Sequence, residues 1–126
     1  MKRVVILLKP DVFRRRVWGE VMSFLQAGTD IEIIGMRAFM PVAPDNLVRQ
    51  HYLEHRGKDF YSSLMGFMSS GPTCAIAADT ANIPDLREAI GVYRKQQKCE
   101  GPANLLHCSD SEISGERELF IWFGSK

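Results

Sequence analysis

The chain has 126 residues, of which 45% are hydrophobic, and its formal net charge is +1. This length predicts a single domain, residues 1–126, with enough apolar side chains for one core. A charge so close to zero argues against a protein whose main ligand is nucleic acid or a membrane surface.

The chain opens with two basic residues and an apolar run, residues 4–8, that imitates the start of a secretory signal. Five apolar residues are too few for a signal peptide or a membrane span, and Lys9-Pro10-Asp11 ends the run. We therefore expect a buried strand over residues 4–9.

The rest of the first half predicts a helix, a strand and two more helices. Apolar residues recur at helical spacing over residues 14–27, and Gly28 suits the position just after a helix. Residues 31–39 are rich in β-branched side chains, which is typical of a strand. Pro44-Asp45 should open a helix, and apolar side chains spaced three to four apart over residues 60–68 indicate a short one after it.

The second half predicts a strand at residues 73–78, a helix and a final strand. Asn82 and Pro84 are typical of a helix cap and first turn. A short helix should follow residue 109, and a last strand should occupy residues 119–123. The order, roughly β-α-β-α-β-α-β, suits an α/β (α+β) sandwich of the ferredoxin-like kind.

The segment over residues 104–112 has the most suggestive chemistry. His107 precedes an expected helix start, where Ser109 and Glu112 have the spacing of a capping box. The free N–H groups of a helix N-terminus attract phosphate, and an imidazole beside that anion can accept a phosphoryl group as a nucleophile. The alternative is a surface histidine beside an ordinary helix cap.

Phosphates would have to be bound by side chains, because the sequence lacks the Gly-x-x-x-x-Gly-Lys-Ser/Thr motif and the glycine-rich loop of protein kinases. The candidates are Lys9 at the end of the first strand and, much later, Arg87 and Arg94. Taken singly, each is better explained as a solvated surface charge.

Three cysteines, Cys74, Cys99 and Cys108, are an odd number and lack Cys-x-x-Cys spacing, which argues against a zinc site and a disulfide framework. Reduced thiols in a cytoplasmic protein are the simplest interpretation. His51 and His55 are one helical turn apart and could form a metal pair, but no third ligand follows them, so no metal bound by the protein is expected.

Four motifs, taken together, resemble the nucleoside diphosphate kinase family. They are Lys9-Pro10-Asp11, His51-Tyr52, Ser70-Gly71-Pro72 and His107-Cys108-Ser109-Asp110-Ser111, in the family's order. The similarity extends from Val4 to Phe123. It implies a ferredoxin-like fold with a four-stranded antiparallel sheet covered by helices. It also implies transfer of the γ-phosphoryl group of a nucleoside triphosphate to a nucleoside diphosphate by a ping-pong reaction.

The resemblance assigns a role to each matching residue. His107 would be the nucleophile that becomes phosphohistidine, Glu118 would hydrogen-bond its ring, and Ser109 would hydrogen-bond that glutamate. Tyr52 would lie close to the histidine, and Lys9 completes the expected catalytic set. The residues expected to bind the nucleotide are Lys9, Phe60, Leu64, Arg87, Arg94 and Asn104.

The same resemblance implies Mg²⁺ as the cofactor, carried by the nucleotide phosphates because the sequence has no carboxylate cluster to hold the ion. The substrates would be ATP, GTP, GDP and other nucleotides, since stacking on an aromatic face barely distinguishes bases. A homo-oligomer is implied as well.

The chain departs from the family pattern around Arg94. Only Val92 and Tyr93 separate Gly91 from Arg94, where the family usually has a long loop that carries a phosphate-contacting threonine and helps build subunit interfaces. We expect weaker phosphate affinity, and the shortened loop puts the usual hexamer in question. The family's longer C-terminal tail, a second interface element, is also absent from the sequence, which ends at Lys126.

Two single residues also depart from the pattern. Gly101 stands where an apolar side chain usually covers the second face of the base, so one side of the base clamp should be open. Cys108 replaces a glycine beside the histidine, which adds an oxidisable thiol next to the site.

Two other functions fit parts of the sequence. One is a catalytically impaired, kinase-like module that binds nucleotides or partners, although the matching residues all keep the family's residue types. The other is a nucleic-acid module with Arg14-Arg15-Arg16 as a basic patch and Phe60, Tyr61 and Phe67 as a stacking platform. The helical spacing of these aromatics and the near-neutral charge argue against it.

Overall fold

The computed structural model describes residues 1–99 and 101–124, which form a four-stranded antiparallel sheet with helices on both faces. The strands are β1 (Lys2–Leu8), β2 (Glu32–Phe39), β3 (Thr73–Thr80) and β4 (Leu106–Cys108), and their order in the sheet is β2-β3-β1-β4. The helices are α1 (Pro10–Arg14), α2 (Trp18–Gly28), α3 (Asp45–His51), α4 (Tyr61–Met68), α5 (Ile83–Gln96) and α6 (Glu112–Phe123), and a 3₁₀ turn occupies Leu53–His55. This architecture confirms the predicted ferredoxin-like fold.

Strand β1 lies inside the sheet, and its side chains alternate between two cores. Val4, Ile6 and Leu8 belong to the core beneath α2 and α5. Val5 and Leu7 belong to the core beneath α3, α4 and α6. Because both faces of β1 are buried, the sequence shows a continuous apolar run there instead of an alternating one.

The single helix predicted over residues 14–27 is in fact two helices, α1 and α2. Arg16 lies between them with a left-handed φ of 59°, which turns the chain before α2 begins. Pro10 is in the first turn of α1, where its missing N–H costs no hydrogen bond. Gly28 is the last residue of α2 and not the residue after it, so its predicted position is also wrong.

Most other predicted elements lie close to their expected positions. Strands β2 and β3 and helices α3 and α4 are all present. Asn82 caps α5, because its side-chain oxygen accepts the backbone N–H of Asp85 over 2.9 Å. Strand β1 ends at Leu8, so Lys9 lies between β1 and α1 and not within the strand. None of the helices in residues 1–99 and 101–124 is long and apolar enough to cross a membrane.

The final strand predicted at residues 119–123 is wrong, because these residues form the last part of α6. The buried positions of this helix follow helical spacing along one face. Gly115 lets α6 lie directly on β1, since a Cβ at this position would be 2.3 Å from the carbonyl oxygen of Arg3. The fourth strand is instead β4, which places His107 at an edge of the sheet.

The expected capping box of Ser109 and Glu112 is also wrong. Ser111 is the N-cap of α6, where its hydroxyl accepts the N–H of Ser114 over 3.1 Å and the Ser114 hydroxyl accepts the N–H of Ser111 over 3.0 Å. Ser109 is withdrawn from the helix end, because its hydroxyl is buried and accepts the Val5 N–H over 2.9 Å. His107 is therefore held by a strand and not by the turn before a helix.

Candidate active site

His107 lies in the middle of β4, where it pairs with Leu7 of β1. Its Nε2 is 2.8 Å from Oε1 of Glu118, a side chain of α6 that is buried. Ser109 donates its hydroxyl proton to the same carboxylate oxygen over 2.7 Å. These bonds hold the imidazole proton on Nε2 and leave Nδ1 with a free lone pair, as a nucleophile requires.

Lys9 is buried beside this histidine strand, with its side chain directed at the segment before β4. Its Nζ donates to Oδ1 of Asn104 over 2.8 Å and to the carbonyl of Pro102 over 3.4 Å. Burial, together with the charge of Arg94, lowers the pKa of Lys9 to about 8. Lys9 and Asn104 are thus brought together, as expected for residues that contact one nucleotide.

Arg87 and Arg94 lie two turns apart on α5, and both face a cavity of about 670 Å³ that also exposes His107. Arg94 donates its Nε–H to the carbonyl of Asn104 over 3.3 Å and a second N–H to the carbonyl of Leu106. Its remaining N–H groups stay available, because a guanidinium has five donors. The cavity therefore combines two permanent positive charges with an imidazole.

A second cavity, of about 330 Å³, adjoins Lys9 and Asn104 and is lined by Phe60 and Leu64 of the α4 region. Phe60 is 50% exposed, so its ring face is accessible to a planar ligand. Gly101 also lines this cavity, where it offers no side chain. Lys9, Phe60, Leu64 and Asn104, four of the residues expected to bind the nucleotide, therefore line one cavity.

Tyr52 is buried next to His51, with the two ring centroids 4.6 Å apart. Its hydroxyl has no hydrogen-bond partner in the described part of the chain. Burial, and then the negative charge of Glu118, raise the pKa of this phenol well above its usual range. Tyr52 is therefore a neutral, buried hydroxyl beside His51 that bonds no other described residue.

The residues expected at the site lie around His107 and two neighbouring cavities, and comparison with known proteins shows the family to which the chain belongs. The family model for nucleoside diphosphate kinase matches residues 2–126. The chain belongs to the nucleoside diphosphate kinase family. Among curated relatives, the nucleoside diphosphate kinase of Rhodopirellula baltica is 37% identical over 136 aligned positions, covering 99% of this chain and 88% of the relative. That of Streptomyces avermitilis is 36% identical, covering 97% of this chain and 96% of the relative.

Solved kinase structures have the same fold. A halophilic nucleoside diphosphate kinase from Halobacterium salinarum, in complex with CDP, matches with a TM-score of 0.84 at 26% identity, over 97% of this chain and 87% of that one. The Aquifex aeolicus nucleoside diphosphate kinase matches with a TM-score of 0.78 at 27% identity, over 95% and 93% of the two chains. This chain is accordingly a nucleotide phosphotransferase, and an impaired, non-catalytic module finds no support.

The nucleic-acid alternative fails on the positions of its residues. Arg14 donates to the hydroxyl of Ser70 over 2.9 Å, so it is tied to the α4–β3 turn. Tyr61 and Phe67 pack against the core beneath α4. A platform for stacked bases would need their ring faces exposed.

The shortened segment before Arg94 does not form a loop in this kinase. Helix α5 continues without a break from Ile83 to Gln96, so Gly91 and Arg94 are both helical.

The predicted oxidisable thiol at Cys108 is better protected than its position in the sequence suggested. Burial raises the pKa of Cys108 to about 12, which leaves little thiolate at neutral pH.

Nucleoside diphosphate kinases use a divalent metal ion. In the described part of the chain, one trio of possible ligands comes together, formed by His51, His107 and Glu118 with donor atoms within 4.8 Å of one another. Two of its members already bond each other, and imidazoles suit Zn²⁺ or Cu²⁺ better than Mg²⁺. The spacing in the sequence suggested a metal pair of His51 and His55, but His55 is not a member of this trio.

Two contacts at the site were missed by sequence reasoning. Asp11 is buried and accepts the backbone N–H of Leu105 over 3.0 Å, which holds that residue at a left-handed φ of 71° between Asn104 and His107. The other is the packing of His51 on the ring of His107. Asp11 belongs to the motif Lys9-Pro10-Asp11, and His51 belongs to the motif His51-Tyr52. Their place in these motifs is the one feature of the sequence that could have indicated a role at the site.

Proposed function

We propose that this kinase transfers the γ-phosphoryl group of a nucleoside triphosphate to a nucleoside diphosphate through a phosphohistidine on Nδ1 of His107. The observation that carries the proposal is a chain of hydrogen bonds from Ser109 to Glu118 and from Glu118 to His107. His107 lines a cavity that two arginines also line. A nucleophile held by a carboxylate beside fixed positive charge is what phosphoryl transfer to nitrogen requires.

In the first half-reaction the Nδ1 lone pair of His107 attacks the γ-phosphorus. The bond between that phosphorus and the β-γ bridging oxygen breaks, and the nucleoside diphosphate leaves with the electron pair. The ring gains positive charge as the N–P bond forms, and the Glu118 carboxylate stabilises that charge through Nε2–H. In the second half-reaction a β-phosphate oxygen of another diphosphate attacks the phosphorus, and the N–P bond breaks.

The remaining residues position the nucleotide and neutralise its charge. Lys9, Arg87 and Arg94 are proposed to contact phosphate oxygens, and the Tyr52 hydroxyl to donate to the phosphate chain near His107. We assign Asn104 to the sugar hydroxyls and assign Phe60 and Leu64 to the base. Stacking on Phe60 supports a broad substrate range that includes ATP, GTP and GDP.

We propose Mg²⁺ as the metal ion, held mainly by the phosphates and water. When bound, it would withdraw charge from the phosphate oxygens. Glu54 and Asp110 line the same cavity as His107, and their carboxylates suit hydrogen bonds to the water molecules of such an ion.

We also propose that residues 1–126 form one kinase domain that assembles as a homo-oligomer in the cytoplasm. The two cores share one sheet, which supports a single domain. Strand β2 is an edge strand whose Ile33, Ile34 and Met36 are each more than 40% exposed, which favours pairing with another copy. The free thiols support a reducing compartment. Sedimentation at micromolar concentration tests the assembly, and a monomer there would contradict it.

The transfer reaction is tested by incubating the protein with γ-labelled ATP and no acceptor, followed by addition of GDP. We expect an acid-labile, base-stable label on the wild type that passes to GDP. His107→Ala should retain the fold and lose transfer by at least about 10⁴-fold, because the nucleophile is gone. A label on His107→Ala, or an unlabelled wild type that still binds nucleotide, contradicts the proposal.

A further inference from the structure

Next to the proposed nucleophile lies a second histidine that the transfer reaction does not use. His51 is 3% exposed, and its ring centroid is 4.5 Å from that of His107 with the planes at 83°. Its Nδ1 accepts the indole N–H of Trp122 over 3.0 Å, and Trp122 is fully buried. Because the two rings are in contact, His51 can restrict the orientation of the His107 ring.

The indole bond determines which nitrogen of His51 carries the proton. An indole N–H can only donate, so Nδ1 of His51 must present its lone pair. The neutral ring therefore carries its proton on Nε2. Burial, and then the nearby charges of His107, Arg117, Lys9 and His55, hold the pKa of His51 well below its usual range, in agreement with a ring that stays neutral.

The same bond argues against a metal ion at the trio of His51, His107 and Glu118. A metal on Nε2 of His51 would displace its proton to Nδ1, where the proton would face the N–H of Trp122. Two donors would then meet inside the core, with no acceptor between them. The trio is better explained as a support for the His107 ring.

His107 needs such a support because Glu118 holds it through one nitrogen only. A single hydrogen bond at Nε2 fixes that atom, but the ring, which is attached at Cβ, can still rotate about the axis from Cβ to Nε2, and this rotation moves Nδ1. A perpendicular ring in contact limits the rotation, and in doing so it keeps Nδ1 directed at the cavity. Misdirection of a reacting atom by about 1 Å can cost on the order of a hundredfold in rate.

We propose that His51 is a positioning residue for the nucleophile: Trp122 fixes its tautomer and its place, and its ring holds the His107 imidazole in the orientation that aims Nδ1 at the phosphates. The proposal rests on the proposed role of His107 in phosphoryl transfer.

Two variants test it, each changing one part of the arrangement. Trp122→Phe removes the N–H donor while keeping an aromatic ring. His51→Asn keeps an acceptor near the Nδ1 position but removes the ring that touches His107. Both should slow phosphohistidine formation from γ-labelled ATP about tenfold, with KM for the nucleotide changed by less than about twofold.

A matched control separates positioning from stability. Phe39 packs on Trp122 with ring centroids 5.5 Å apart and does not bond His51, so Phe39→Leu should lower Tm without slowing labelling. Nitrogen-15 NMR of the histidine rings supplies a readout that stability does not move. Wild-type His51 should show the proton on Nε2 alone, and Trp122→Phe should show both tautomers.

The outcomes are distinct. Wild-type labelling rates in both folded variants, or a wild-type His51 with its proton on Nδ1, would overturn this proposal alone. An unlabelled wild type would overturn the transfer mechanism and this proposal with it. Equal slowing in Phe39→Leu would also overturn the proposal, because a general loss of packing would then account for the effect.

Discussion

At the catalytic end of the site, Glu118 and Ser109 are buried and joined to each other and to His107 by hydrogen bonds of 2.7 and 2.8 Å. At the base end, Phe60 is 50% exposed, and apart from its chain neighbours no described residue lies within 4 Å of where a Cβ of Gly101 would be. The catalytic end is therefore held by buried hydrogen bonds, whereas the base end is open to solvent. Substitutions at the first should act on kcat, and substitutions at the second on KM.

After the loss of the nucleophile itself, the largest effect is expected from Lys9→Met, which tests whether the buried cation belongs to the catalytic end. Removing a fixed donor to the phosphates should lower kcat/KM by about 10²- to 10³-fold. The same change should stabilise the fold. Burial lowers the pKa of Lys9 from 10.5 to about 8, so the charged form costs the folded state on the order of 3 kcal/mol below pH 8.

The pH dependence of the stability that Lys9 contributes can be measured in the wild type. Between pH 8 and 10.5 the unfolded chain holds a proton that folded Lys9 has released, so the Lys9 contribution makes stability rise with pH in that window. Urea unfolding of wild type and Lys9→Met across this range measures the difference, which should shrink as pH rises. Lys95→Met, an exposed lysine on α5, serves as the control. A Lys9→Met protein that is less stable than wild type at pH 7 would contradict the prediction.

A smaller effect, on the order of tenfold to a hundredfold in kcat, is expected from Glu118→Gln. The amide oxygen can still accept from His107 and Ser109, so the change removes the charge and not the shape. That charge stabilises the positive phosphorylated ring. Single-turnover labelling should therefore slow while nucleotide affinity stays unchanged. Glu116→Gln, at an exposed position on the same helix, is the control and should have no effect. If Glu118→Gln changed KM alone, Glu118 would not act on the chemical step as proposed.

At the base end, Phe60→Ala should raise KM about tenfold and leave kcat within about twofold, because a stacked base contributes roughly 1–3 kcal/mol. Steady-state kinetics with several nucleoside diphosphates would measure it. The loss should be similar for purines and pyrimidines. Phe120→Ala, which removes an exposed aromatic from α6, is the control. A fall in kcat as large as the rise in KM would show that the base end also orients the chemistry.

The outline of the fold could be predicted because most elements have a local period. The burial of β1 on both faces, the β-branched β2 and the Asn82 cap are visible in neighbouring residues. The final strand was mispredicted because residues 119–123 read equally as a short apolar strand or as the end of a helix. The close packing of Gly115 against Arg3, a residue distant in sequence, favours the helix.

The site was predictable only to the extent that the motifs name its residues. Their roles came from the family resemblance, since Lys9, Arg87 and Arg94 individually look like surface charges. The contacts that position them could not be read from the sequence. Asp11 reaches Leu105 across 94 positions, and Trp122 reaches His51 across 71, so no local pattern records either bond.

The smallest expected effect concerns Tyr52, whose ring lies against that of His51. Its buried hydroxyl has no partner among the described residues, as is also true of Tyr93 on the buried face of α5. Tyr52→Phe and Tyr93→Phe should each keep or raise stability, by up to about 1 kcal/mol, because neither loses a hydrogen bond. Only Tyr52→Phe should slow the kinase, by about threefold, if its hydroxyl meets the phosphate chain. Thermal unfolding and kcat measured on both proteins decide the matter, and equal activity of the two variants would leave Tyr52 with a packing role alone.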